Sequence, residues 1–145
     1  MFKTLQSLFA CGIALNLGLT QAAELNVTYG KPISSAVIVS FANGSSAFRP
    51  TAQQEVDLLN ATQASLIVIR GRTSTNKASP KDEALALIRA LSARTYLIEK
   101  GVSPLKITIN FASAMDFIVD NSTPEGKSQN QRVEIELIYV PNIAN

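Results

Sequence analysis

Residues 66–90, LIVIRGRTSTNKASPKDEALALIRA, constrain this chain more than any other stretch. An apolar run that reads as a strand breaks at Gly71, passes through small polar residues, and restarts as a helix at Pro80. Ser79 as N-cap, Pro80 at the first helical position and Asp82 at the third form a helix-start signature, and Gly101 supplies the stop. A buried strand feeding a polar loop and a capped helix is where α/β proteins place binding sites.

The remaining elements follow from periodicity. Residues 24–35 read as an N-terminal extended arm closed by Gly30, Lys31 and Pro32. Residues 36–41 (AVIVSF) are a β-branched strand, and Asn43-Gly44 marks a turn. A helix starts after Thr51, which forms a capping box with Gln54, and Val56 and Leu59 are expected to face a sheet. Residues 65–70 lack alternation, which predicts a central strand buried on both faces. On the long helix to Lys100, the stripe Ala84, Leu87, Ile88, Leu91, Thr95 and Ile98 is expected to be core. A third strand spans 105–110, a polar connection 112–130, and a last strand 131–140. In that last strand Val133, Ile135, Leu137 and Tyr139 alternate with Arg132, Glu134, Glu136 and Ile138, the pattern of an edge strand with one wet face.

The first 23 residues have a different character. Lys3, the apolar run 8–19 and the small pair Ala22-Ala23 have the layout of a secretory signal peptide. Leu8-Phe9-Ala10-Cys11 loosely resembles a lipobox; lipidation of Cys11 is the alternative to cleavage after Ala22 or Ala23. Cys11 is the one cysteine, so a chain cleaved there has neither disulfides nor thiol chemistry. Export places the protein in the periplasm, with outer-membrane association through a partner or an anchor. No mature segment reads as a membrane span. Removing Lys3 with the leader brings the net charge from +2 to about +1, giving no electrostatic reason to expect nucleic acid as a partner. The chain has no histidine. Without His, Cys or a Ser-Lys constellation, an enzyme is not expected, nor are a metal or a cofactor.

Three motifs together resemble the OmpA-like peptidoglycan-binding domain. They are VIVSFANGSSAFRP; Gly71-Arg72-Thr73-Ser74 with Arg89-Ala90, against the family's Gly-His-Thr-Asp and Arg-Ala without a gap; and DNSTPEGKSQNQRVEIEL, against the Asn-x-Thr-x-Glu-Gly-Arg loop and closing Asn-Arg-Arg-Val-Glu-Ile strand. The resemblance implies an α+β fold: a β-α-β-α-β-β sandwich with a small mixed sheet and two helices on one face. The expected organisation is a leader at 1–23, the arm at 24–35, an OmpA-like domain at 36–140 and a tail at 141–145.

The resemblance also implies a function, non-covalent binding of the diaminopimelate in a peptidoglycan stem peptide, and a partly degenerate site. The family's amine-binding Asp is Ser74 here. Its supporting Asn is Asp82, which either caps its own helix or takes over the amine. The carboxylate-binding Arg is kept as Arg89, which either meets ligand or forms a salt bridge to Asp82. The first Arg of the closing pair is Gln131 and the second is Arg132. The loop Arg is Lys127, and His is replaced by Arg72. Thr73 and Ser74 are ligand residues by resemblance and backbone-bonding loop residues by chemistry. Asn130 either touches ligand or ties down its loop. The competing function is a binding-inactive docking subunit of an envelope complex such as a secretion, pilus or conjugation apparatus, with an envelope protein as partner.

Overall fold

The computed structural model describes residues 31–141. The expected leader, Cys11 and nearly all of the tail lie outside the described residues. Four strands form one sheet in the order β1-β4-β2-β3, where β1 is Ile33–Ser40, β2 Leu66–Thr75, β3 Ile107–Ala114 and β4 Arg132–Tyr139. The helices are α1 (Ala52–Leu58), α2 (Pro80–Glu99) and α3 (Pro124–Asn130). β2 and β3 are parallel, joined through α2, while β4 runs antiparallel to both β1 and β2. This is the small mixed α+β sheet that the resemblance implies, with one helix more.

The core lies between the sheet and its helices. Ile67, Ile69, Val133, Ile135 and Leu137 are fully buried, and Val37 and Val39 close it on the β1 side. Local signals hold at the helix starts. Thr51 and Gln54 form the capping box, and the Gln54 amide also donates to the Ile38 carbonyl at 2.7 Å, fastening α1 to β1. Ser79 accepts from the Asp82 backbone N–H at 3.1 Å. Gly101 adopts φ 92°, a left-handed conformation that favours glycine after a helix end.

Several expectations are overturned. β2 does not break at Gly71 but continues to Thr75. Gly71 serves a close approach instead: a Cβ there would stand 1.9 Å from the Ala86 carbonyl oxygen, so its absence lets α2 lie directly on the strand. β2 is central but not buried on both faces, since Leu66 is exposed while Ile67 and Ile69 are covered. β4 is not an edge; it sits between β1 and β2. The first strand, expected at 36–41, begins at Ile33 within the stretch read as the arm, whose residues 24–30 lie outside the described residues. The connection after β3 contains α3, announced by Thr123 as N-cap and Pro124 at the first position, the same signature as α2.

Both apolar helix faces are also reassigned. On α1, Leu58 is buried while Val56 and Leu59 face solvent. On α2 the buried residues are Ala86, Arg89, Ala90, Ala93 and Leu97; of the expected core stripe none is buried, Leu87 and Ile98 are partly covered, and Ile88 and Leu91 are 47% and 42% exposed. The reason is distance. A helix seated against Gly71 has room beneath it for alanines and none for a row of Leu and Ile.

Candidate functional site

The site forms where the turn after β1, the end of β2, and the junction of α3 with β4 meet. Arg89 reaches into that junction from the buried face of α2 and is fully buried. Its Nε donates to the Ser45 carbonyl at 2.8 Å and its Nη1 to the Arg72 carbonyl at 3.0 Å. Nη2 donates to the Ala42 carbonyl at 3.3 Å and to Gln131 Oε1 at 3.2 Å, and the guanidinium lies 5.1 Å from the Phe41 ring centroid. All four acceptors are neutral. The expected salt bridge to Asp82 does not form: the ion pairs among the described residues belong to Arg70, Arg72 and Arg132.

That environment has an electrostatic consequence. Burial pushes the Arg89 guanidinium down from its ordinary value to about 10, only partly opposed by the Asp82 charge. That depression means that burial disfavours the charged form of Arg89. The burden is fully present at neutral pH and is relieved only as pH rises above about 10 towards the ordinary guanidinium value.

A shallow cleft of about 300 Å³ lies against Gln131, the side chain that accepts from Arg89; it is lined by Asn43, Ser74, Pro124, Lys127, Ser128 and Gln131, and Arg89 itself does not line it. Lys127 is its one charged lining residue, and no carboxylate lines it. A separate, more apolar groove of about 270 Å³ runs between α1 and the C-terminal part of α2, past Val56, Leu59 and Tyr96. It contains none of the motif residues.

The other expected site residues divide between cleft and scaffold. Ser74 lines the cleft from β2, and its backbone carbonyl accepts from Asn121 Nδ2 at 2.7 Å. Thr73 is buried on the same strand, its hydroxyl 3.3 Å from that of Thr75. Both are strand residues rather than loop residues. Asp82 is half-buried outside the cleft lining, and its carboxylate accepts from the Ser79 hydroxyl at 2.5 Å, so it closes its own helix cap. Asn130 is fully buried. Its Oδ1 accepts from the Ile118 and Val119 N–H groups, and its Nδ2 donates to the Val119 carbonyl and to Asn121 Oδ1. It holds the 116–121 loop in place.

Arg132, expected on the wet face of β4, is fully buried. It donates to Glu134 at 2.7 Å and to the Asp116 carbonyl at 2.9 Å, with the Asp116 carboxylate 3.8 Å away. Arg72, in the family's His position, donates to the same Asp116 carboxylate. The two arginines thus clamp one acidic loop residue. Sequence reasoning missed Asp116, Asn43 and Ser128. Nothing in the periodicity marks Asp116, whereas Asn43 and Ser128 each lie inside a motif already singled out.

A four-stranded mixed sheet of order β1-β4-β2-β3 with α2 packed against β2 and a buried Arg89 beside a polar cleft is the arrangement to compare with known proteins. Residues 40–131 match the OmpA family, and the chain belongs to that family. It is 32% identical over 118 residues to a Brucella suis protein named as an outer membrane lipoprotein of a type IV secretion system, covering 80% of this chain and 69% of that one. Among solved structures, it is similar to the OmpA-like domain of FopA1 from Francisella tularensis, with TM-score 0.60 and 18% identity, covering 80% of this chain and 79% of that one. It is likewise similar to the peptidoglycan-associated lipoprotein of Burkholderia pseudomallei, with TM-score 0.60 and 20% identity over 70% of this chain and 88% of that one. At those identities the structural likenesses establish the fold.

Proposed function

We propose that this chain is a non-enzymatic periplasmic subunit of an envelope secretion assembly that touches the peptidoglycan stem peptide through the cleft beside Arg89. The observation that carries the reading is Arg89 itself, a buried cation whose hydrogen-bond partners are all neutral. A ligand carboxylate entering beside Gln131 and Lys127 would supply the missing negative charge. Ser74 brings no acid for the amine of diaminopimelate, so the grip is one-sided and weak. Loss of one partner from a desolvated charge pair costs about 2–5 kcal/mol, or one and a half decades of affinity and upwards.

Sedimentation with diaminopimelate-type sacculi tests this. A minor fraction of the wild type is expected to co-sediment at low salt, less with Lys127→Glu and more with Ser74→Asp. Wild type that stays wholly in the supernatant, with no gain from Ser74→Asp, overturns it.

The second reading, a docking subunit without wall binding, is favoured by how completely Gln131 and three backbone carbonyls already engage Arg89. The similarity to a relative named for type IV secretion supports the assembly in either reading. Recovery of the chain from crosslinked envelopes without any protein partner would count against both.

A further inference from the structure

The outward face of α2 is apolar without a partner among the described residues. Ala84, Ile88, Leu91, Thr95 and Ile98 recur at spacings of four, three, four and three, the heptad seam of paired helices. The seam lies opposite the buried row Ala86, Ala90, Ala93 and Leu97 and is about 21 Å long. Ile88 and Leu91 on it are 47% and 42% exposed. Single exposed apolar residues are ordinary, but a continuous row at helical spacing marks an interaction surface.

The order of residues along the seam points to its occupant. Laid antiparallel against itself about Leu91, the seam sets Ala84 opposite Ile98 and Ile88 opposite Thr95, small against large at each level. Lys81 and Glu99 occupy one flank at its two ends, both exposed, and neither forms an ion pair within the chain among the described residues. In the antiparallel arrangement Lys81 of each copy falls beside Glu99 of the other. A surface complementary to itself under a two-fold rotation fits a second copy of the same chain.

We propose that this protein forms a homodimer through antiparallel pairing of α2 with α2 of a second copy, with the two-fold axis at Leu91. Arg89 is on the opposite side of the helix, so both clefts stay open, and the dimer presents two envelope contacts at once. This inference does not depend on what the clefts bind.

Sedimentation equilibrium of the purified chain is expected to show a dimer at about 100 μM, with Leu91→Asp raising the dissociation constant by about 100-fold. The circular dichroism of that variant should be unchanged, because Leu91 contributes nothing to the core. Lys81→Glu should weaken the dimer, and Lys81→Glu with Glu99→Lys should restore it. In a Cys11→Ser background, Leu91→Cys should oxidise to a disulfide-linked dimer much faster than Asp57→Cys on α1. A chain that stays monomeric at that concentration overturns the proposal. So does a dimer indifferent to Leu91→Asp, or a Leu91→Cys that crosslinks no faster than Asp57→Cys, and the crosslinking comparison decides even where Leu91→Asp fails to fold.

Discussion

Arg89 and Arg132 are equally buried and differ in what surrounds them. Arg132 meets Glu134 and Asp116, so its charge is neutralised inside the protein. Arg89 meets three backbone carbonyls and one amide, so its hydrogen bonds are made but its charge is not balanced. A buried ion pair is complete in itself and organises its own loop. A buried cation among neutral dipoles remains an attractor for an anion. Arg132 is scaffold, and Arg89 is the arginine on which the proposed binding rests.

The sharpest way to break this contrast is through the helix that positions Arg89. Gly71→Ala places a methyl on the Ala86 carbonyl and forces α2 outward, which should withdraw Arg89 from its acceptors while leaving the Arg132 clamp intact. A loss of about 4 kcal/mol is expected from this overpacking with its broken hydrogen bonds. It can be measured by urea denaturation followed by circular dichroism, since the chain has no tryptophan.

Arg132→Met comes next. It leaves Glu134 without its partner, and about 3 kcal/mol should be lost, the lower end for a broken buried pair because both acidic partners are partly exposed. Arg89→Met should cost less, about 1–2 kcal/mol, because releasing the burdened charge offsets part of the lost hydrogen bonding. If Arg89→Met proves more damaging than Arg132→Met in the same denaturation series, the contrast between the two sites is wrong. The smallest effect is expected for Asp116→Asn, about 1 kcal/mol. Asp116 is half exposed, and Arg132 keeps Glu134 when it is lost. Raising the salt concentration should narrow the gap between Asp116→Asn and wild type.

Much of this was legible in the sequence because it is local. The capping box at Thr51, the Ser79-Pro80 helix start and the Gly101 stop depend on neighbours a few residues apart, and all three stand as read. The gapless run from Gly71 to Ala90 singled out Arg89, which the structure places on the buried face of α2. Misreadings came where two solutions shared one local pattern. α2 has two apolar stripes, and nothing in the spacing says which one meets the sheet. Of the two readings left open for Asn130, the structure shows the loop tie, and Arg132, a ligand residue by resemblance, is engaged with the same loop at residues 116–121, which no pattern brings near it.

The opening stretch, residues 66–90, shows the division. By itself the sequence determined a strand, a capped helix and the presence of an arginine near the strand's end, because propensity and capping act over one or two turns. Only the tertiary structure decided that Gly71 continues the strand, that the row Ala86, Ala90, Ala93 and Leu97 faces the sheet, and that Arg89 lies buried among neutral oxygens. Each of these depends on how closely α2 can approach β2, and that distance is set by groups far apart in the chain.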